Sequence, residues 1–377
     1  MMKINSHNEW DGLREIIVGR GDGRAYLEFP DGMPSEELLV KAQHLAQQAY
    51  PQWLVDEINE DLEGLCVVLK SFGVKVYRPN TARITQPFST PYFSAVGNFV
   101  YDMRDLHLVV GNKVIESPSQ EKHRYFEATG LYDIWYEYFK EGFCWISGPK
   151  PRLSGNHMEV YYADGKSQYE DGQKFIRLAE NEILFEAANT LRMGKDLLYL
   201  VSRSGNFLGA RWLQNVLGDE YRVHTTDKIY RSSHIDSTAM ALRPGLVLLN
   251  ESRVTEATCP DVLKRWDKIY FHDIIPTPQR TIEFHEKVRK PVYEKLKSLN
   301  VDSGIDSVSS PWIGLNFLSV DPNTVIVDKI QIPLIKILEQ HGLTVIPISF
   351  RHSYYMGGIH CSTLDTVRDS RLEDYCS

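Results

Sequence analysis

The stretch IGLNFLSVDPNTVIVDKIQIPLIKILEQHGLTVIPISF, residues 313–350, contains a complete supersecondary unit. Two short apolar runs rich in β-branched residues flank the sequence DPN at 321–323. Because the fixed φ of proline favours a turn there, the runs are predicted to be strands. Apolar residues then recur at helical spacing from Ile332, and Gly342 stands just past the predicted helix, where a positive φ is common. Residues 343–350 are again typical of a strand, so the predicted order is strand, turn, strand, helix, strand.

The same order recurs upstream in four segments, which are residues 13–79, 106–140, 182–226 and 234–274. Within these segments, residues 182–189 and 234–242 are predicted to be strands, and residues 260–267 are predicted to be a helix. This order is common in other α/β proteins too. However, no linker rich in Pro, Gly or Ser separates the segments. We therefore expect a single domain over residues 1–377, built as a closed, pseudo-symmetric α/β assembly of five modules, since radial repetition protects the edges of short sheets.

Two long stretches interrupt the repeating pattern. Residues 28–53 and 147–180 are rich in Tyr, Pro, Gly and charged residues, and they are predicted to be insertions. Long loops on a rigid scaffold are where lids and substrate contacts are usually found.

The composition is that of an ordinary folded protein with a mild negative charge. The chain has 377 residues, and its 42 Lys and Arg against 50 Asp and Glu give a formal charge of −8. A nucleic-acid-binding surface would need a basic face, so no nucleic-acid partner is expected. No apolar run approaches the roughly 20 residues that span a bilayer, and the first residues lack the apolar core of a signal peptide. We therefore expect a cytoplasmic protein with no membrane partner.

The five cysteines are scattered, and none forms a C-x-x-C pair. This excludes a zinc ribbon or a thioredoxin motif and favours reduced thiols. Cys361 follows Gly357 and Gly358, which let the backbone turn tightly and approach a ligand. A lone cysteine is more often a small buried hydrophobe, which is the prediction for Cys66 in its apolar helical run. The local sequence alone leaves two possibilities for Cys361, a nucleophile on a loop or a core side chain.

Four side chains near the ends of predicted strands suit a cationic substrate. His234 and Asp236 lie two residues apart, so alternation in a strand would place them on one face. Glu186 ends the run that begins at 182, and Asp105 precedes another strand. Each signal is weak alone, because a histidine at a strand start is ordinarily structural. If a radial assembly brought them together with Cys361, carboxylates could accept the paired N–H donors of a planar guanidinium.

Five stretches of the chain resemble the arginine:glycine and inosamine-phosphate amidinotransferases and the related cyanobacterial-toxin amidinotransferases. These stretches are residues 8–20, 104–116, 185–188, 234–250 and 357–361. They are spread from residue 8 to residue 361, so the resemblance extends over nearly the whole chain. They also occur in the same order as in the family. The resemblance implies a pentein fold, which is a five-module α/β propeller with pseudo-fivefold symmetry. It requires no metal and no organic cofactor, and it leaves a homodimer open.

The resemblance also implies roles for individual residues. Cys361 would be the nucleophile, His234 the acid and base, and Glu186 the acid that orients the histidine. Asp105 and Asp236 would hold the guanidinium group of the donor. Arg253 and Ser310 would hold the carboxylate of donor arginine, although the motif around these two residues is weaker and a solvated surface pair is the alternative.

Three features depart from the members that use glycine. Glu186 stands where those members have Asp, and Asn189 replaces a second acid. The sequence Arg231-Ser232-Ser233 differs from their Asn-x-Met. We therefore expect an acceptor other than glycine, with Arg231 and Ser233 in the acceptor pocket. The branch that acts in saxitoxin biosynthesis is the most similar in appearance.

The resemblance predicts a ping-pong reaction in which L-arginine gives its amidino group to Cys361 and then to an acceptor amine, with release of L-ornithine. A thiolate beside an imidazolium would have a lowered pKa. One alternative is a deiminase or dihydrolase that uses water as the acceptor. Another is a non-catalytic pentein that binds a partner such as a ribosomal subunit, which would not need the Cys–His–acid set.

Overall fold

The computed structural model describes residues 3–22, 50–82, 84–97, 100–155, 157–165, 172–230, 232–298 and 310–376. The strands are β1 Leu13–Val18, β2 Lys75–Tyr77, β3 Pro87–Ser89, β4 Ser94–Val96, β5 His107–Val110, β6 Lys113–Glu116, β7 Cys144–Ser147, β8 Met158–Tyr162, β9 Lys174–Leu178, β10 Thr190–Met193, β11 Asp196–Leu200, β12 Arg222–Thr226, β13 Ala239–Arg243, β14 Leu246–Asn250, β15 Asp267–Phe271, β16 Leu318–Asp321, β17 Thr324–Asp328, β18 Thr344–Ile348 and β19 Thr363–Arg368.

The α-helices are α1 Gln52–Ser71, α2 Met103–Leu106, α3 Tyr132–Lys140, α4 Phe207–Leu217, α5 Gln279–Phe284, α6 Lys290–Ser298, α7 Ile332–Gln340 and α8 Ser353–Met356. Short 3-10 helices cover Lys122–Arg124, Glu127–Leu131, Ala187–Asn189, Gly218–Glu220, Ile235–Ser237, Asp261–Leu263 and Pro311–Leu315, and a π-helical turn covers His285–Arg289. In the part of the chain that the structure describes, no helix has the length and apolar character needed to cross a membrane.

Five three-stranded sheets share one plan. Their strand orders are β19-β1-β2, β5-β6-β7, β10-β11-β12, β13-β14-β15 and β16-β17-β18. In each sheet the first strand is antiparallel to the central strand, and the central strand is parallel to the third. The central strands β11 and β14 are buried at every residue. This explains their continuous apolar sequences, since a strand covered on both faces does not alternate.

The first sheet is completed by the two ends of the chain. Strand β19 pairs antiparallel with β1, and the register places Thr363 opposite Val18 and Leu364 opposite Ile17. The module predicted over residues 13–79 includes β1, α1 and β2, but β19 was not predicted to be part of it. The first module therefore takes its outer strand from residues more than three hundred positions away.

Five of the core clusters contain strand residues from two sheets each. The pairs are Ile16 with Leu318, Ile17 with Val109, Leu108 with Leu197, Leu198 with Val247, and Leu248 with Val325. Alternate residues of one strand therefore face two different neighbouring sheets. Cys66 lies in the first of these clusters, as its apolar helical run predicted.

Three sequence predictions of local structure were wrong. Residues 182–189 are not a strand, because β10 begins only at Thr190 and Ala187–Asn189 is a 3-10 helix. Residues 235–237 are likewise 3-10 helical, and β13 begins at Ala239. Of the helix predicted at 260–267, only Asp261–Leu263 is helical, as a single 3-10 turn. In each case a turn of 3-10 helix stands where a longer regular element was predicted.

The predicted insertions have different outcomes. Within 147–180, β8 and β9 form a separate two-stranded antiparallel sheet, which the sequence analysis did not contain. Most of the other insertion, 28–53, lies outside the described residues, and α1 begins at Gln52.

Candidate active site

Cys361 lies on a turn two residues before β19, and its position is fixed by Asn316. The Cys361 N–H donates to Asn316 Oδ1 at 2.9 Å, and Asn316 Nδ2 donates to Cys361 Sγ at 3.1 Å. A side chain at Gly358 would collide with Asn316, so the glycine permits this approach. The thiol is 5% exposed and donates to Asp236 Oδ2 at 3.4 Å. Asn316 was not singled out from the sequence, since its contact spans 45 residues.

His234 and Glu186 form the shortest polar contact of the site. His234 Nε2 lies 2.6 Å from Glu186 Oε2, and Ser119 Oγ donates to Glu186 Oε1 at 2.8 Å. His234 Nδ1 lies 3.6 Å from Asp105 Oδ1, which is ion-pair distance but not a hydrogen bond. The structure therefore brings His234, Glu186 and Asp105 together, as the sequence analysis expected.

The backbone before His234 is held by a buried polar cluster. The carbonyl of Ser233 accepts hydrogen bonds from Asn189 Nδ2, Ser202 Oγ and Ser204 Oγ at 3.2, 2.6 and 2.8 Å. Asn189 also donates to the carbonyl of Leu200 at 2.7 Å. A carboxylate at position 189 could not donate these bonds, so the amide there supports the His234 segment.

Asp236 and His234 reach the site without the strand alternation that was predicted. His234 has an extended backbone just before the 3-10 turn Ile235–Ser237, and Asp236 lies within that turn. His360 Nδ1 lies 2.9 Å from Asp236 Oδ2, the same oxygen that accepts from the Cys361 thiol. In the described part of the chain no hydrogen bond joins His234 to the thiol, but the charges of Asp105 and Asp236 raise the pKa of both groups.

Arg124 is a buried cation that the sequence analysis did not identify. Its Nη1 donates to Asp105 Oδ2 at 2.7 Å and lies 3.5 Å from Glu186 Oε1. Its Nε and Nη2 bind the two oxygens of Glu127 at 2.7 and 2.9 Å. Arg124 therefore fixes Asp105 and Glu127 together and adds positive charge next to Glu186.

The structure brings Arg253 and Ser310 together, at 3.4 Å between Nη2 and Oγ. Arg253 Nη1 also donates to Ser237 Oγ and Thr238 Oγ1, at 2.9 and 3.0 Å. Arg253 is buried, so the solvated surface pair that was the alternative does not describe it. Ser233 is exposed beside His234, whereas Arg231 lies outside the described residues.

The charges of the site favour an imidazolium paired with a carboxylate. Burial alone would lower the pKa of His234, but the charge of Asp105 and the hydrogen bond to Glu186 raise this pKa to about 10. Burial alone would raise the pKa of Glu186, yet the His234 hydrogen bond and the charge of Arg124 lower it to about 2. His234 is therefore a cation and Glu186 an anion at neutral pH.

The thiol does not have the lowered pKa that the sequence analysis expected. Burial, followed by the charges of Asp236, Asp102 and Asp105, raises the pKa of Cys361 well above its ordinary value. The prediction of a lowered thiol pKa considered the charge of the imidazolium but not the charges of the three nearby carboxylates. Without a bound cation, the thiol is therefore protonated.

Asp105, Glu186 and His234 each offer an atom within 4.8 Å of the others, a spacing that a metal ion could use. Two observations oppose that use. The protonated ring of His234 has no lone pair to give, and Asp105 already binds the guanidinium of Arg124. The three residues fit a charge-paired acid–base unit better than a metal centre.

A buried network of ion pairs between arginines and carboxylates lies next to the turn that carries Cys361. Asp365 accepts hydrogen bonds from three arginines, Arg104, Arg192 and Arg368, at 2.7 to 2.9 Å. Arg192 also pairs with Glu9 at 2.7 Å. Arg104 Nε donates to the carbonyls of His360 and Thr363, on either side of Cys361. Through Arg104, the network therefore joins the turn that carries Cys361 to Asp365 in β19 and to Glu9.

Curated relatives match the chain over its full length. An inosamine-phosphate amidinotransferase from Streptomyces griseus is 37% identical over 381 residues, which are 98% of this chain and 99% of that protein. An L-arginine:L-lysine amidinotransferase from Pseudomonas savastanoi pv. phaseolicola is 33% identical over 99% of this chain and 96% of its own length. No family model matches the chain.

Solved structures agree with these relatives. The inosamine-phosphate amidinotransferase of Streptomyces griseus superposes with a TM-score of 0.79 over 99% of each chain. An amidinotransferase of the saxitoxin biosynthetic pathway from Microseira wollei has a TM-score of 0.80 at 32% identity, over 99% of this chain and 100% of that one. The N-terminal domain of a cyanobacterial arginine dihydrolase, with a TM-score of 0.56 at 14% identity, shares the fold alone.

Proposed function

The chain belongs to the amidinotransferase family of enzymes, and we propose that it moves the amidino group of L-arginine to an acceptor amine and releases L-ornithine. The observation that carries this proposal is the arrangement around the thiol. Asp236 accepts the thiol hydrogen bond, and Asp105 lies between the arginine Arg124 and the charged pair of His234 and Glu186. A planar cation with many N–H donors suits these carboxylates.

In the proposed first half-reaction, Asp105 and Asp236 bind the donor guanidinium beside Cys361. The bound cation lowers the pKa of the thiol, the thiol releases its proton to solvent water, and the sulfur attacks the guanidinium carbon. The bond from that carbon to arginine Nε breaks, and the His234 cation protonates the departing nitrogen, which becomes Nδ of ornithine. Ornithine leaves, and the amidino group stays on sulfur as a cation. Glu186 orients His234 throughout.

In the second half-reaction, the acceptor amine attacks the same carbon and gives a proton to His234, which is now neutral. The carbon–sulfur bond breaks, and the sulfur takes up a proton from solvent water once the cationic product has left. Every group ends in its starting protonation state, so the cycle balances with arginine and the amine as the only reactants. We assign Arg253 and Ser310 to the α-carboxylate of arginine, since they lie together and Arg253 is buried next to the 3-10 turn that carries Asp236.

The acceptor is proposed to be an amine other than glycine. The relatives named above include proteins described as acting on inosamine phosphate and on lysine. Ser233 supports the proposal because its side chain is exposed next to His234 while its carbonyl is fixed from behind. The part proposed for Arg231 rests on the sequence alone.

The five sheets are proposed to form a pentein-type α/β propeller with pseudo-fivefold symmetry, as one domain over residues 1–377. The support is that the five shared core clusters join each sheet to two others. A homodimer and a cytoplasmic location are proposed on the sequence and the resemblance alone.

The test is to incubate the protein with L-arginine and a panel of amines and to measure ornithine. Cys361→Ala is expected to abolish ornithine release, because the sulfur that carries the amidino group is gone. Cys66→Ala is the matched control, since that buried thiol lies on α1 and accepts a hydrogen bond from Arg78, which has no assigned part in the reaction. Ornithine release that persists undiminished in Cys361→Ala would reject the mechanism.

The same assay separates transfer from hydrolysis. Ornithine that appears only with an amine, together with a guanidino product, supports transfer. Citrulline and ammonia formed without any amine would show that water is the acceptor, and the proposal of transfer from arginine would then be abandoned.

A further inference from the structure

Asp102 is a carboxyl group near Cys361 that the proposed reaction does not use, and burial, followed by the charge of Asp105, raises its pKa well above the ordinary value. It stands just before α2, three residues from Asp105. Its Oδ1 is buried and accepts no hydrogen bond from the described residues. Arg124, the nearby cation, binds the backbone carbonyl of Asp102 at 2.9 Å. Asp102 Oδ1 thus lies in a charged site without a hydrogen-bond donor among the described residues.

Gly357 shows where this oxygen points. A Cβ added to Gly357 would collide with Asp102 Oδ1 and would stand 3.1 Å from Cys361 Cβ. The carboxylate oxygen and the nucleophile therefore border the same small space. Gly357 has a φ of 105°, which other residues rarely adopt, so the backbone also requires glycine here. Consistent with this short separation, the charge of Asp102 contributes to the raised pKa of Cys361, after burial and Asp236.

Asp105 presents a second oxygen of the same kind. Its Oδ2 is bound by Arg124, but its Oδ1 is buried without a hydrogen bond and faces His234 Nδ1 at 3.6 Å. Buried carboxylate oxygens without donors are unfavourable, so such a pair marks a place where a ligand supplies N–H groups. Two such oxygens come from residues three apart, one beside the turn that carries Cys361 and the other beside His234, and together they fit one small planar cation.

We propose that Asp102 is a third carboxylate of the donor site, and that its Oδ1 accepts a hydrogen bond from the amidino group before and after that group is transferred to Cys361. The inference rests on the proposed function and deepens it. The guanidinium of arginine and the amidino group on sulfur are both planar cations with N–H donors at their edges. Asp102 then contributes to binding the donor and to stabilising the covalent intermediate.

The first test is binding of L-arginine to a protein that cannot react. Calorimetry compares Cys361→Ala with Cys361→Ala/Asp102→Asn, and the second is expected to bind arginine at least about tenfold more weakly, because a charge-assisted hydrogen bond is lost. The matched control adds Asp328→Asn instead. Asp328 is likewise a buried carboxylate with an unpartnered oxygen, but it lies at the end of β17. The control is expected to bind arginine like its parent.

The second test measures the thiol itself in the free enzyme with Asp102→Asn alone. Alkylation of Cys361 by iodoacetamide is followed on its own peptide by mass spectrometry, since Cys144 is exposed and reacts too. The midpoint of the pH profile is expected to fall, because a neighbouring negative charge is removed, with no change in the limiting rate at high pH. A site that has merely loosened would instead raise the limiting rate, and that result would reject the assignment.

Kinetics distinguish the donor from the acceptor. Asp102→Asn is expected to raise KM for arginine and to slow formation of the amidino adduct. If it alters only KM for the acceptor amine, or leaves arginine binding unchanged, Asp102 is not part of the donor site. If the unmodified enzyme releases no ornithine from arginine, the proposed function fails and this assignment falls with it. Release by the unmodified enzyme with an unaffected Asp102→Asn variant overturns only the assignment of Asp102.

Discussion

The Cys361 thiol lies between two side chains with opposite effects on its proton. Asn316 donates to the sulfur and favours the thiolate, whereas Asp236 accepts from it and favours the thiol. Burial and the nearby carboxylates add to the second effect and raise the pKa of Cys361. A cation placed among those carboxylates would shift the balance toward the thiolate. The nucleophile is thus expected to ionise when the donor binds and to stay unreactive before.

The pair of His234 and Glu186 makes stability depend on pH. The folded-state pKa of His234 is about 10 against an ordinary 6.5, so its contribution is full below pH 6.5 and is lost as pH rises toward 10. The free energy of unfolding of the unmodified protein is expected to fall over that range. The extra slope should approach about 1.4 kcal/mol per pH unit relative to His234→Gln, as for one proton.

Urea unfolding of both proteins at several pH values between 6.5 and 10 measures this difference. Glu186 has the opposite pH dependence. Its pKa is lowered to about 2, so its contribution to the free energy of unfolding is present above pH 4.5 and is lost as the pH falls toward 2. Parallel stability curves for the two proteins from pH 7 to 9.5 would contradict the prediction.

At this scale the sequence predicted which side chains come together but not what surrounds them. Cys361, His234, Glu186, Asp105 and Asp236 converge, as motif positions and the family resemblance indicated, and their roles stay predictions. Asn316, Arg124 and Asp102 were not found. Each of these residues contacts the site from a segment that is distant in sequence, and residue spacing or periodicity does not predict such long-range contacts.

Among the elements, the short 3-10 turns hold the site rather than the strands. Glu186 and His234 each stand immediately before such a turn, at Ala187–Asn189 and Ile235–Ser237. Apolar runs suggested strands in both places, because periodicity cannot separate a strand from a short turn that leads into one. The strand–helix–strand plan of the modules was nevertheless predictable, since it depends on long apolar segments and on turn residues such as those at 321–323.

Arg124, on the 3-10 helix Lys122–Arg124, is expected to be essential for stability as well as for the site. Arg124→Met leaves Asp105 and Glu127 buried without their cation, which costs roughly 3–5 kcal/mol of the free energy of unfolding. The control is Arg152→Met, whose exposed pairing with Glu182 at 4.0 Å should contribute no more than about 1 kcal/mol. Chemical denaturation measures both, and equal effects of the two substitutions would contradict the ranking.

For the whole molecule, the central network of ions joins parts of the chain that are far apart in sequence. Asp365 in the last strand binds Arg104 and Arg192 from two other modules. The sequence gives no hint of this arrangement, because charged residues are ordinarily predicted to be on the surface. The repeated modules were predictable, whereas the charged centre was not.

Asp365→Asn is expected to be strongly destabilising, by roughly 3–5 kcal/mol, because three buried arginines lose a charged partner. Asp369→Asn, four residues later, is the matched control. Its carboxylate is 48% exposed and pairs only with the exposed Arg14 among the described residues, so a change below about 1 kcal/mol is expected. Thermal unfolding of the two variants compares them, and a mild effect of Asp365→Asn would show that the network tolerates a neutral amide.

The pairing of β19 with β1 has a consequence for how the enzyme matures on the ribosome. The strand that completes the first sheet leaves the exit tunnel more than three hundred residues after β1, and Cys361 precedes it by only two residues. Strand β1 must therefore wait, with one edge uncovered, until residues 363–368 have been synthesised. A nascent fragment that ends before residue 361 lacks the proposed nucleophile, and the exposed edge of β1 is where a chaperone would be needed during synthesis.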